Sequence, residues 1–151
     1  MIHATVSLPG CSQQRALAAF TDPAVLSRWW GGELNTDLTA GGPYNVRFAQ
    51  LGQTMTGQVT QYEPASRLEF TWAWSGEHGE PREDNEPART VLVTVTPGQP
   101  PDGTELTVVH GPHTASEADR AARAEHREGW EFFLPRLAAL LAQPEVSETE
   151  R

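Results

Sequence analysis

Residues 21–32 read TDPAVLSRWWGG, a short helix spelled out with both of its ends. Thr21 or Asp22 offers a side-chain oxygen to an orphan amide of the first turn, and Pro23 has its φ preset for the first helical position. Gly31 and Gly32 stop the helix and let the chain turn. Between these ends lie Val25, Leu26, Trp29 and Trp30. Adjacent residues on a helix are rotated by about 100°, so the two tryptophans cannot face the same way. Trp29 is expected to join Val25 and Leu26 in the core, and Trp30 to face a pocket mouth or solvent.

The flanks show what this helix is joined to. Upstream, Ile2, Ala4, Val6 and Leu8 alternate with His3, Thr5 and Ser7, the period of a half-buried strand, and Pro9-Gly10 ends it. Ser12 is placed to cap a helix carried by Ala16, Leu17 and Phe20. Downstream the texture is strand and turn as far as about residue 111. A weak strand from Glu33 to Thr39 ends at Gly41-Gly42, Tyr44, Val46 and Phe48 alternate in the next, and Leu51-Gly52 turns into a single strand from Met55 to Tyr62. Leu68, Phe70, Trp72 and Trp74 then share one face, which is too aromatic to be left uncovered. Residues 75–88, SGEHGEPREDNEPA, carry five acids and read as a solvated loop. Val91, Val93 and Val95, then Leu106, Val108 and His110, complete about six or seven antiparallel strands.

The chain closes on a long helix from Ser116 to Ala142, whose apolar stripe is Trp130, Phe133, Leu134, Leu137, Ala138 and Leu141. Arg120, Arg123 and Arg127, interleaved with Asp119, Glu125, Glu128 and Glu131, are expected on its solvated side. Gly129 and Pro135 cost a helix interior about 1 and about 3 kcal/mol, so packing must outweigh both. The fold class is therefore α+β: a curved antiparallel sheet whose concave face is covered by the long helix. Residues 1–143 are expected to form one domain and 144–151 an acidic frayed tail.

Composition removes several functions. Twenty acids face eleven arginines and no lysine, a net charge of -9, which argues against a phosphate-binding surface and hence against nucleic acid as partner. Without a lysine there is no side-chain amine for Schiff-base or pyridoxal chemistry. The lone Cys11 can form neither an internal disulfide nor a multi-thiolate metal site. The first 30 residues lack a basic start followed by an apolar run, so the cytoplasm is the expected compartment, with no membrane insertion. An exposed sheet edge offers a route to a homodimer.

The stretch from Phe20 through TDPAVLSRWWGG, the Gly41-Gly42 turn before Tyr44, and the His126-x-x-Gly129-Trp130 entry to a leucine-rich last helix resemble the START-related helix-grip superfamily. Within it, the chain is similar to the activator of heat-shock protein 90 ATPase homologue family. The resemblance spans Ile2 to about Leu141, and the acidic loop at 75–88 departs from it by its length. It implies a pocket between the long helix and the sheet. The residues able to line such a pocket are Trp29, Trp30, Tyr44, Val46 and Phe48, then Phe70, Trp72, Trp74 and Val93. Leu106, Val108 and His110 on the last strand, and Trp130, Phe133 and Leu137 on the helix, complete the set. Gly129 leaves space where a side chain is missing, which favours an opening.

Little in this set announces catalysis. No nucleophile elbow, Walker-type loop, dinucleotide motif or zincin helix occurs, no cofactor is expected, and no catalytic residue is assigned. His110 and His113 form an H-x-x-H pair, but no helix aligns them and no third ligand lies nearby in sequence, so no metal site is expected. His126 is expected to make a structural bond to the sheet or a loop. The leading expectation is a protein that binds a hydrophobic or aromatic small molecule, such as a lipid. One alternative is a cyclase- or hydrolase-type enzyme using the same cavity, with His110, Tyr44 or Glu69 as acid–base groups and Glu69 the poorest because it faces away. The other is a co-chaperone-like module with a chaperone partner, which would need an exposed apolar patch and a filled interior.

Overall fold

The computed structural model describes residues 1–76, 89–97, 103–113 and 115–142. Most of the acidic loop expected at 75–88, and the tail expected from 144, lie outside the described residues. Eight antiparallel strands form one sheet: β1 Ile2–Leu8, β2 Glu33–Thr36, β3 Tyr44–Phe48, β4 Gln53–Thr56, β5 Val59–Glu63, β6 Arg67–Gly76, β7 Arg89–Pro97 and β8 Thr104–Gly111. Their order is β1-β8-β7-β6-β4-β3-β2, with β5 also paired to β6. Three helices accompany the sheet: α1 Gln13–Thr21, α2 Pro23–Trp29 and α3 Glu117–Leu141. No helix among the described residues is long and apolar enough to cross a membrane.

The count exceeds the sequence expectation because the strand expected from Met55 to Tyr62 is two strands. Gly57 separates them, and a Cβ there would stand 1.8 Å from the Thr71 carbonyl oxygen of β6. The chain steps in against its neighbour, the Gln58 amide donates to the Thr71 hydroxyl at 2.9 Å, and the pairing shifts register before resuming at Gln61. An alternation pattern carries no trace of such a bulge. The strand expected as far as Thr39 likewise stops at Thr36. Beyond it the Asp37 amide and the Thr36 hydroxyl both donate to the Pro43 carbonyl.

The helix ends follow their caps. The Ser12 hydroxyl accepts from the Arg15 amide at 3.1 Å, and an Asp22 carboxylate oxygen accepts from the Ala24 amide at 3.0 Å. The two glycines after α2 do different work. Gly31 has φ +82°, a conformation unfavourable for side-chain-bearing residues, with open space around it. Gly32 sits so close to β3 that a Cβ would lie 2.3 Å from Val46 Cγ1. One glycine turns the chain and the other lets it pass under the sheet.

Alternation sets the core. Leu68, Phe70 and Trp72 of β6, Val91, Val93 and Val95 of β7, and Leu106, Val108 and His110 of β8 are all buried. Each large apolar side chain in this layer contributes about 1.5–3 kcal/mol by leaving water. α3 covers the layer with Trp130, Leu134, Leu137 and Leu141, and runs unbroken through Pro135. Towards its start the buried stripe turns polar, at Asp119 and His126. Asp119, expected on the solvated side, is instead 8% exposed and ion-paired with Arg89, the first residue of β7. A charge this buried persists only with a partner, and Arg89 supplies it.

Candidate functional site

Between the middle of α3 and the sheet lies a cavity of about 140 Å³. Its walls are aromatic: Trp30 from the end of α2, Phe48 from β3, Trp72 from β6 and Trp130 from α3. Trp30 is the hub, with its ring centroid 5.8 Å from Phe48, 5.8 Å from Trp72 and 5.5 Å from Trp130. Trp29 stands behind it, stacked at 5.2 Å with 12° between the planes, and its indole N–H donates to the Ala19 carbonyl at 2.8 Å. Trp29 therefore supports Trp30 from the core while Trp30 faces the cavity.

The helix contributes two adjacent rows of residues four apart. His126 and Trp130 reach inward, whereas Glu125, Gly129 and Phe133 edge the cavity nearer solvent. Leu51, 64% exposed in the turn after β3, completes the edge. A Cβ at Gly129 would meet nothing within 4 Å, so the missing side chain widens the rim. Helical spacing from Gly129 in both directions picks out Glu125 and Phe133. Glu125 is exposed, as the charge pattern expects of the solvated face, and it also borders the cavity. Leu51 had no periodic signal at all.

Six residues expected around a pocket line this cavity: Trp30, Phe48, Trp72, His110, Trp130 and Phe133. Trp29, Tyr44, Val46, Phe70, Val93, Leu106, Val108 and Leu137 do not. They are buried in the surrounding core. Trp74 belongs to β6, opposite Met55, and its side chain lies outside the described residues. Tyr44 was a candidate acid–base group, but its hydroxyl donates to the Phe20 carbonyl at 2.5 Å, its ring stacks on Phe70, and burial pushes its pKa far above the usual phenol range. It stays a neutral core residue away from the cavity. Glu69 receives the Thr60 hydroxyl at 2.7 Å on the outer side of the sheet.

Two histidines, His110 and His126, line the polar end of the cavity, and a third, His113, is bonded to His126. His110 comes from β8, His113 from the connection after it, and His126 from α3. The rings of His110 and His126 stack at 4.5 Å, and Trp72 lies 4.8 Å from His110. His113 Nε2 and His126 Nδ1 share a hydrogen bond at 3.0 Å, which is the loop contact expected of His126. The Trp130 indole N–H donates to His110 Nδ1 at 3.0 Å. That nitrogen must therefore be unprotonated, and the His110 proton resides on Nε2. Neither His110 Nε2 nor His113 Nδ1 has a hydrogen-bond partner, and a buried polar group left so costs about 1–3 kcal/mol.

All three imidazoles are held neutral. Burial first, then the neighbouring histidines and Arg89, pushes His110 down to about 2. Burial and the Arg89 guanidinium push His126 down to about 4, against a smaller opposing pull from Asp119, and burial with Arg89 also lowers His113. Neutral imidazoles offer nitrogen lone pairs and N–H donors to the cavity, but they are poor proton acceptors. One ring nitrogen from each histidine lies within 4.8 Å of the others. The expectation that the H-x-x-H pair lacks a third ligand is thus corrected: residue 126, distant in sequence, is delivered by α3 folding across the end of β8.

An antiparallel sheet with two short helices after its first strand, covered by a long C-terminal helix, defines a helix-grip protein of the START-related superfamily. More narrowly, the chain belongs to the Activator of Hsp90 ATPase homolog 1-like protein family, whose sequence profile matches residues 11–142. No curated protein matches it. Among solved structures it is similar to DynU16, a protein of the dynemicin biosynthetic locus, at 27% identity and TM-score 0.74 over 95% of this chain. The chain spans about half of DynU16, 48% of its length. It is also similar in fold to CalU16 from Micromonospora echinospora, at 24% identity and TM-score 0.70, covering 98% of this chain and 77% of that one. MLL2253 from Mesorhizobium loti, at 21% identity and TM-score 0.76, covers 96% and 100% respectively.

Proposed function

We propose that the protein binds an aromatic or otherwise flat apolar small molecule in the cavity beneath α3. The observation that carries this reading is the enclosure of about 140 Å³ of space by three indoles and Phe48, with Leu51 and Phe133 at its edge. A dry cavity of about 150 Å³ accepts a benzene-sized guest, whereas drug-sized ligands occupy about 300–1,000 Å³. The fit is therefore to one ring, or to the ring end of a longer molecule that projects past the rim. A whole lipid chain is disfavoured by the same arithmetic. DynU16, described as belonging to a biosynthetic locus, supports a small organic ligand in preference to a macromolecule.

The test is a titration of tryptophan emission with single-ring and fused-ring aromatics, repeated on Gly129→Leu, whose larger side chain would occupy the rim. Saturable quenching that is lost in the variant is the expected result. Quenching that is equal in both, or absent for every compound, would remove the cavity from consideration.

A second reading, a cyclase- or hydrolase-type enzyme, is favoured by one specific observation. Two imidazoles and the Glu125 carboxylate border the same apolar space, the convergence of ionisable groups that acid–base work requires. Turnover of a bound compound that is abolished by His110→Gln with binding retained would select it. The chaperone role suggested by the family name has weaker support. Among the described residues the large exposed apolar side chains are Met1, Leu51 and Phe132, short of a docking patch.

A further inference from the structure

We propose that His110, His113 and His126 form a site for a divalent first-row transition ion, zinc foremost, set into the polar wall of the cavity. The closest pair of nitrogens, His113 Nε2 and His126 Nδ1, is 3.0 Å apart. Two imidazoles on a tetrahedral zinc, with bonds of about 2.0–2.1 Å, hold their nitrogens roughly 3.3 Å apart. This pair already has ligand spacing. The widest separation in the set is 4.8 Å, so completing the triad needs side-chain adjustment of about an ångström or two and no change of fold.

The three ligands come from a strand, a connection and a helix, each held independently of any ion. Of the three ligating nitrogens, His110 Nε2 lacks a protein partner, whereas His113 Nε2 and His126 Nδ1 are bonded to one another. Three imidazoles with the remaining coordination open is the arrangement of catalytic zinc sites. The open side faces the cavity, since His110 and His126 both line it. Imidazole selects zinc, copper, nickel or cobalt over magnesium and calcium. The Arg89 guanidinium beside the cluster carries a like charge, but Asp119 pairs with it and offsets that charge.

Two contacts oppose the ion: the His113–His126 hydrogen bond, whose proton must be given up when both nitrogens ligate, and a second that provides the discriminating test. The Trp130 N–H occupies His110 Nδ1 and keeps the His110 proton on Nε2. Ligation through Nε2 moves that proton to Nδ1, where it confronts the indole N–H. Removing the indole donor therefore strengthens metal binding, although Trp130 itself is no ligand. A cluster that is only structural gives no reason for such a gain.

The experiment uses the tag-free full chain, stripped with chelator and titrated with zinc chloride by competition calorimetry, and with cobalt chloride by visible absorption. The expected result is one ion per chain and d–d bands of low-symmetry cobalt. His113→Gln and His126→Gln each weaken zinc by at least about 100-fold, and Trp130→Phe tightens it by about 10-fold. The proposal is overturned if wild type binds zinc no more tightly than His113→Gln or His126→Gln. It is equally overturned if a folded Trp130→Phe loses affinity in step with them. Should a variant not fold by circular dichroism, the wild-type cobalt spectrum decides, and its absence overturns the site. No organic ligand enters these measurements, so their failure leaves the cavity reading intact.

Discussion

Replacing Gly129 with alanine separates what the helix needs from what the cavity needs. In a helix interior, glycine is about 1 kcal/mol less favourable than alanine because its backbone loses more freedom on folding. A Cβ at this position meets nothing within 4 Å, so no steric term offsets the gain. Gly129→Ala is expected to raise stability by about 1 kcal/mol, or the melting temperature by roughly 2–4 °C for a chain of this size. The same methyl group intrudes on the rim of a cavity of only about 140 Å³. Binding of an aromatic ligand should weaken, and Gly129→Leu should abolish it. Thermal melts and tryptophan-emission titrations on the same samples read both quantities. A fall in melting temperature would mean that the space beside Gly129 is filled in solution. A rise with unchanged affinity would mean that the glycine has nothing to do with a ligand, and the rim assignment would be wrong.

Three further outcomes follow from the packing. Metal-free protein should lose stability as pH falls below about 6.5, because the unfolded histidines then bind protons that folded His110 and His126, held at about 2 and about 4, refuse. The stability is present above the unfolded value, and each contributes a loss of about 2 kcal/mol by pH 5. Urea midpoints at pH 7.5 and 5.0 in EDTA measure it, and an equal loss in His126→Gln would refute the assignment. Asp119→Ala should destabilise by about 3–5 kcal/mol by taking away the carboxylate that pairs with the buried Arg89 guanidinium, whereas the double replacement with Arg89→Met should recover much of that. Denaturant melts of the cycle give the answer, and additivity would contradict the ion pair. Gly32→Ala should cost about 1–3 kcal/mol, since its methyl would have to displace Val46. A melting temperature equal to wild type would show that β3 yields there.

Much of the fold could be read from local chemistry. Asp22 and Pro23 opened α2, Ser116 opened α3, and alternation in β6, β7 and β8 named the inward faces, because caps and pleats depend on near neighbours in the chain. The split at Gly57 could not be read, since its cause is the Thr71 carbonyl on another strand. The same distinction governs the site. Aromatic alternation identified candidates for the cavity wall, yet it could not separate Phe48, which lines the cavity, from Val46 two residues earlier, which does not, although both pack against Gly32. Depth along a strand is a tertiary property. The histidine triad was hidden for a related reason: His113 and His126 are neighbours only because α3 returns across the end of β8. Asp119 looked like one more acid in a charged helix until its partner Arg89 was placed beneath it.

The nesting of the tryptophans has an optical consequence. Trp29 and Trp30 are nearly parallel at 5.2 Å, and Trp72 and Trp130 lie within 6 Å of Trp30. At such separations excitation energy absorbed by one indole migrates to the others before it is emitted. These four rings therefore act as a single antenna that drains to its lowest-energy member. A guest or an ion that darkens one ring at the cavity darkens the ensemble, and no single replacement isolates the signal of one indole. The side chains that enclose the cavity thus also serve as its intrinsic reporter.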